Sequence, residues 1–165
     1  MTELQTKELS FADTEKYMRV CFVCMGNTCR SPMAAALFNH RAAQRGLLVR
    51  ADSAGLSAMD GEMISAEAAD ALFDFGVESS ADNDYKNHRA RRINAEICQK
   101  SELLITVSSD YVLPLLCAYP EFSSKIRCLK NDIGDPFGGT LDDYRRTLSA
   151  IDDCLTDGFF DNVCK

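Results

Sequence analysis

The chain has 165 residues, 46% of them hydrophobic and 26% charged, with a formal net charge of −7. That length suits one domain with a core of its own, and the acidic balance excludes a general nucleic-acid binder, which needs a basic face to neutralise phosphates. No apolar run approaches the roughly 18 residues of a membrane span, and residues 1–17 mix acidic and basic side chains without the apolar stretch of a secretory signal.

Taken in chain order, residues 1–18 read as a poorly defined N-terminal extension and 19–165 as one domain. Residues 19–24 (RVCFVC) predict a short buried strand. A turn-like segment with Gly26 and Asn27 follows. Residues 32–45 then predict a helix, with Pro32 near its start and Gly46 at its end. A second strand is expected over 47–54 and a helix over 65–75, stopped by Gly76. A further helix is expected over 93–100 and a third strand over 103–107. Residues 110–119 predict a helix interrupted by Pro114, and 125–129 a fourth strand. Thr140 starts the last expected helix, with Asp143 three positions on as a weaker form of the capping box. Strands alternating with helices imply a parallel sheet covered on both faces. In such sheets the active site lies beyond the carboxyl ends of the strands, where the loops 24–31 and 131–139 stand.

Eight cysteines call for an explanation. A disulfide framework belongs to small secreted domains with weak cores, which this chain does not resemble. Cys21 and Cys24 form a C-x-x-C, but no second pair follows at zinc-ligand spacing. A thioredoxin-like pair would open a helix, whereas Cys21 lies inside a strand pattern. Most of the cysteines therefore read as reduced, small core hydrophobes.

The strongest signal is the run Cys24-Met25-Gly26-Asn27-Thr28-Cys29-Arg30-Ser31-Pro32. A loop between a strand and a helix N-terminus can turn successive backbone N–H groups inward as an anion nest, and the helix dipole adds positive potential. Cys24, at the head of that loop, is placed to be a nucleophile. Arg30, which closes it, can grip two phosphate oxygens in a bidentate fork. Gly26 and Asn27 suit left-handed backbone, and the Ser31 hydroxyl can hydrogen-bond the sulfur. Late in the chain, Asp135-Pro136 offers a carboxylic acid on a stiffened loop. Such a group can protonate a departing leaving group and then activate water.

These residues resemble the signature of the low-molecular-weight protein tyrosine phosphatase family. The likeness runs from Arg19 onward and includes Asp52-Ser53-Ala54-Gly55, His88-Arg89-Ala90-Arg91 and Asp135-Pro136-Phe137. The resemblance implies an α/β fold, a single domain with a four-stranded parallel sheet flanked by helices on both faces. It implies that Cys24 attacks phosphorus, Arg30 binds the phosphoryl oxygens and Asp135 is the general acid. Asn27, Ser31, Ser53 and His88 would form the supporting hydrogen-bond network. Thr28 stands where the tyrosine phosphatases commonly carry a bulky aliphatic residue, and Phe137 is followed by Gly138-Gly139 rather than by a further aromatic residue. Both features are similar to the bacterial protein-arginine phosphatases of the same family, making Thr28 and Phe137 the candidate substrate-selecting residues. The implied partners are phosphorylated proteins, with phosphotyrosine as the alternative substrate; no nucleic acid, membrane, metal or organic cofactor is implied. A cytoplasmic monomer is expected.

Two other functions share part of this pattern. Arsenate reductases of a related fold shuttle a disulfide through two further cysteines, but Ser108 stands at the first of those places and only Cys117 lies near the second. A non-catalytic anion-binding module would keep Arg30 without needing Asp135 on a separate loop. Cys29 shares the loop with Cys24, as in the family, and is the candidate redox partner that could protect it in a disulfide. Arg89, Arg91 and Arg92 read as a solvated basic face.

Overall fold

A computed structural model describes residues 16–165, so all but Lys16, Tyr17 and Met18 of the expected N-terminal extension lies outside the described residues. Four parallel strands form one sheet: β1 (Met18–Cys24), β2 (Val49–Gly55), β3 (Leu103–Thr106) and β4 (Ile126–Cys128), in the order β2-β1-β3-β4. The expected fold is the observed one. β1 is central because its sequence lets it be: Val20 to Cys24 are all apolar and almost wholly buried, the pattern of a strand covered on both faces.

Strand alternation sorts the core into two layers. Val20, Phe22 and Cys24 face α1 (Arg30–Gln44), α2 (Ala66–Asp74), α5 (Leu141–Cys154) and α6 (Asp157–Val163). Cys21 and Val23 face α3 (Ala95–Lys100) and α4 (Val112–Ala118). On the first side Phe38 stacks on Phe160, with ring centroids 5.0 Å apart, and meets Phe22 edge-on at 5.6 Å. Truncating such a buried ring to alanine costs roughly 3–5 kcal/mol. Cys21 and Cys24 therefore lie on opposite sides of the sheet, and their C-x-x-C cannot act as a local dithiol. Burial, followed by the nearby Asp52 carboxylate, pushes the Cys21 thiol well above its usual range, so it stays a protonated core side chain.

Several boundaries differ from the expectation for local reasons. The second strand starts at Val49, because Gly46 (φ 65°) turns the chain out of α1 and Leu48 remains exposed. Pro114 does not interrupt its helix. Residues Ser109–Tyr111 form a separate 3₁₀ turn, which makes Pro114 the third residue of α4, where no intrahelical N–H bond is required. At α5 the capping box is complete: Asp143 N donates to Thr140 Oγ1 at 3.3 Å and Thr140 N to Asp143 Oδ2 at 2.8 Å. The helix begun at Thr140 is not the last, since Thr156 caps α6 by accepting from Phe159 N at 3.2 Å. No helix among the described residues is long and apolar enough to cross a membrane.

Candidate active site

The loop between β1 and α1 closes around the Cys24 sulfur. Cys24 is the last residue of β1 and Arg30 the first of α1, so strand register fixes one end of the loop and helix phase the other. Cys24 Sγ lies 2.8 Å from Ser31 Oγ and accepts from Asn27 N at 3.2 Å. Asn27 has a left-handed backbone (φ 59°) and is wholly buried. It tolerates that conformation because both hydrogens and the oxygen of its short amide are bonded. Its Nδ2 donates to Ser31 Oγ at 2.8 Å and Ser53 Oγ at 2.9 Å, and its Oδ1 accepts from Arg91 N at 3.0 Å. The backbone N–H of Arg91 thereby fixes which way the amide faces. With Asn27 donating to the Ser31 oxygen, the Ser31 hydroxyl hydrogen is free to point at the sulfur.

His88 Nε2–H donates to Asn27 O at 2.8 Å. Burial holds the His88 pKa below the ordinary histidine value, and the neighbouring Arg91 and Arg89 add to this against the opposing hydrogen bond to Asn27. Asn27, Ser31, Ser53 and His88 thus meet in one network beneath Cys24.

Gly55 was not singled out from the sequence as a functional position, but no other residue fits there. A Cβ would stand 2.5 Å from Met25 O and 2.9 Å from Ala58 Cβ. The loop backbone also leans on the segment after β2 (Leu56 N to Cys24 O, 2.9 Å; Ser57 N to Met25 O, 3.0 Å). The solvated reading of the basic cluster fails for Arg91. Besides its backbone bond to Asn27, its Nε donates to Ser53 O at 2.9 Å and its Nη2 lies 2.8 Å from Asp52 Oδ2. It is half-buried behind the loop, whereas Arg89 and Arg92 are exposed. The remaining loop residues divide by exposure: Met25 is 40% exposed, Gly26 and Thr28 are half-buried, and Cys29 is buried. Thr28 O accepts from Ser65 N at 3.0 Å, and Thr28 Oγ1 lies 3.6 Å from Cys29 Sγ. Cys29 Sγ is occupied away from the loop centre, 3.3 Å from Tyr144 Oη and 3.8 Å from Ser65 Oγ.

Arg30 is 5% exposed, and the loop after β4 reaches over it. Its Nη1 donates to Ile133 O at 3.1 Å and its Nη2 to Tyr111 Oη at 2.7 Å. Asp135 Oδ2 lies 3.6 Å from Nη2, with the Asp135 side chain 54% exposed. Asp135 Oδ1 accepts from Phe137 N at 3.0 Å, and Phe137 is 77% exposed. Two segments far apart in sequence thus meet at the carboxyl ends of β1 and β4: the loop that holds the Cys24 sulfur ends at Arg30, and the exposed Asp135 carboxyl lies 3.6 Å from that guanidinium. Of the three residues expected to do the chemistry, Arg30 and Asp135 lie 3.6 Å apart, and Cys24 heads the loop that Arg30 closes. Tyr111 and the Ile133 carbonyl, which hold Arg30, were not foreseen. The arrangement can bind a tetrahedral oxyanion, attack its centre from one side and exchange a proton on the other.

Comparison with known proteins places the chain from β1 onward in one family. The model of the family "Low molecular weight phosphotyrosine protein phosphatase" matches residues 19–163. A protein-arginine-phosphatase of Bacillus subtilis is 31% identical over 145 residues, covering 84% of this chain and 92% of its own. A protein-arginine-phosphatase of Geobacillus stearothermophilus is 34% identical over 141 residues, covering 81% and 88%. Among solved structures, the low molecular weight protein tyrosine phosphatase from T. tengcongensis superposes with a TM-score of 0.79 at 32% identity, covering 88% of this chain and 99% of its own.

Proposed function

This chain belongs to the low molecular weight phosphotyrosine protein phosphatase family, and from that premise we propose that it removes phosphate from protein phosphoarginine through a cysteinyl-phosphate intermediate. The observation that carries the chemistry is the meeting of the two loops. Cys24 Sγ is cradled by Ser31 Oγ at 2.8 Å and Asn27 N at 3.2 Å, with Asp135 3.6 Å from Arg30.

In the first step the Cys24 thiolate attacks phosphorus and the bond from phosphorus to the guanidine nitrogen breaks. The Asp135 carboxylic acid gives its proton to the departing nitrogen. Arg30 and the loop N–H groups hold the phosphoryl oxygens as charge shifts. In the second step water attacks phosphorus, Asp135 takes its proton, and the phosphorus–sulfur bond breaks to release phosphate. The Ser31 hydroxyl stabilises the sulfur both as nucleophile and as leaving group. Arg30 and the loop neutralise the phosphate, so these steps need no metal.

Thr28 supports phosphoarginine as the substrate. It carries a half-buried hydroxyl within the loop, and the relatives at 31% and 34% identity are named protein-arginine-phosphatases. The runner-up is phosphotyrosine, favoured by the family model's own description and by the tyrosine phosphatase from T. tengcongensis at 32% identity. Eight free cysteines support a reduced setting, and we extend the proposal to a cytoplasmic, monomeric enzyme with phosphorylated proteins as partners. The test is turnover of a phosphoarginine peptide by wild type and by Cys24→Ser. Wild type should release phosphate while Cys24→Ser does not, and the variant should still bind phosphate through Arg30. Near-wild-type turnover by Cys24→Ser would remove Cys24 from the mechanism.

A further inference from the structure

Arg30 is a buried guanidinium whose outer edge is held by two neutral acceptors. The Ile133 carbonyl takes one Nη1 hydrogen at 3.1 Å and the Tyr111 hydroxyl one Nη2 hydrogen at 2.7 Å. The Tyr111 ring also lies beneath the guanidinium, its centroid 5.3 Å from Cζ, within the range of a cation–π contact. Arginine carries five N–H donors in a rigid plane. Two of them are taken, which leaves Nε–H and one hydrogen on each terminal nitrogen for a bound anion.

The kind of partner matters as much as the geometry. A carboxylate on that edge would compete with the phosphoryl group for the positive charge. A carbonyl and a phenol fix the plane and leave the charge in place. The carboxylate nearby, Asp135, stands at 3.6 Å, beyond an ordinary hydrogen bond.

The two acceptors are themselves tied together. Tyr111 ends the 3₁₀ turn Ser109–Tyr111 after β3, and Ile133 follows Asp132 after β4. Ser109 N donates to Asp132 Oδ1 and Ser109 Oγ to Asp132 Oδ2, each at 2.8 Å. Those two bonds hold the Asp132 carboxyl below its usual range. The clasp fixes the spacing of the two loops, and therefore of the two groups that hold Arg30.

We propose that Tyr111 is a positioning residue: its hydroxyl and ring fix the Arg30 guanidinium plane so that the remaining donors meet the phosphoryl oxygens of the transition state. This rests on the proposed role of Arg30 as the phosphate clamp. Because Arg30 is already oriented before substrate enters, the binding site does not have to order it during the reaction.

The test uses Tyr111→Phe, which removes only the hydroxyl, with p-nitrophenyl phosphate as substrate and vanadate as a mimic of five-coordinate phosphorus. A hydrogen bond to a charged group corresponds to a factor of about ten or more. The expected result is a kcat lowered about tenfold, vanadate affinity lowered by a similar factor, KM within about twofold and an unchanged melting temperature. Tyr111→Leu, which also removes the ring, should lose more. In an Arg30→Lys background, vanadate binding should not weaken further on adding Tyr111→Phe, because lysine has no plane to orient. Unchanged kcat in Tyr111→Phe, or an equal loss of vanadate binding in both backgrounds, overturns the role of Tyr111. Near-wild-type turnover by Arg30→Lys overturns the reading of the site itself, which separates the two failures.

Discussion

The Asn27 side-chain amide donates to the Ser31 hydroxyl at 2.8 Å, and that same hydroxyl stands 2.8 Å from the Cys24 sulfur. The chain of bonds has a direction. Arg91 N fixes Asn27 Oδ1, Asn27 Nδ2 fills a lone pair on Ser31, and the Ser31 hydrogen is left for the sulfur. Ser31→Ala should therefore lower kcat more than it lowers stability, because both neighbours of the hydroxyl lose one partner while the backbone is undisturbed. Asn27→Ala should do both. It leaves the Arg91 N–H without an acceptor and puts alanine at φ 59°, which together cost roughly 2–4 kcal/mol. Urea denaturation alongside steady-state kinetics separates the two. Equal losses of stability in Ser31→Ala and Asn27→Ala would contradict this order.

On the proposed mechanism Asp135 moves a proton. It is half exposed, and its 3.6 Å separation from Arg30 is beyond a direct hydrogen bond. Asp135→Asn should lower kcat by about 10²–10⁴. The loss should shrink as the leaving group becomes more acidic. A series of aryl phosphates of graded leaving-group acidity is the measurement. A loss that is the same across the series would show that Asp135 only binds.

His88 gives the fold a pH dependence with a definite sign. Its folded pKa lies below the unfolded value of about 6.5, chiefly because it is buried. The unfolded chain then binds more protons in that window, so the contribution is fully present above about pH 6.5 and is lost as pH falls through the unfolded and then the folded value. His88→Gln keeps an N–H donor for Asn27 O but cannot titrate. The drop in melting temperature between about pH 7.5 and 5.5 should be smaller in this variant. It should not vanish, because the other histidine, His40, is lowered as well, first by burial. An unchanged slope would remove His88 from the pH response.

Cys29 carries a prediction about oxidation. Peroxide should convert the Cys24 thiolate to a sulfenic acid, which condenses with the Cys29 thiol, releasing water and forming a disulfide. Dithiothreitol should restore activity. Cys29 Sγ must first leave Tyr144 Oη, 3.3 Å away. The Tyr144 hydroxyl is pushed up to about 12, by burial first and by the Cys29 hydrogen bond next, and stays protonated. Tyr144→Phe should therefore form the disulfide faster. Peptide mapping that finds Cys24 overoxidised and Cys29 still free would refute this.

Much of the site was legible because its parts are local. The run from Cys24 to Pro32 carries a strand end, a left-handed turn and a helix start within nine consecutive residues, so the loop could be read without the fold. Arg91 was misread because its partners are distant. Its N–H meets Asn27 from 64 positions away, and in sequence it is one of several neighbouring arginines. Tyr111 was hidden for the same reason, since nothing near it marks it as the partner of Arg30, 81 positions earlier. Pro114 misled in the other direction. A proline inside a predicted helix reads as a break, until the 3₁₀ turn at Ser109–Tyr111 moves the start of α4 and places that proline in its first turn.

The substrate assignment turns on Thr28. Its backbone is anchored by Ser65, and its hydroxyl has a 3.6 Å contact to Cys29 Sγ; on the proposed function that hydroxyl meets the polar substrate. Thr28→Ile keeps the β-branch that the loop already accommodates, deletes the hydroxyl and adds apolar surface suited to a phenyl ring. A site that hydrogen-bonds its substrate rejects an analogue lacking the group more strongly than an apolar pocket rejects a misfit. The most direct test is kcat/KM on matched phosphoarginine and phosphotyrosine peptides for wild type and Thr28→Ile. Wild type should prefer phosphoarginine, and the preference should fall at least several-fold in the variant, the size expected for one lost hydrogen bond of about 1 kcal/mol. A wild type that prefers phosphotyrosine, or a ratio that does not move, contradicts the assignment and leaves a tyrosine phosphatase with an unusual loop residue.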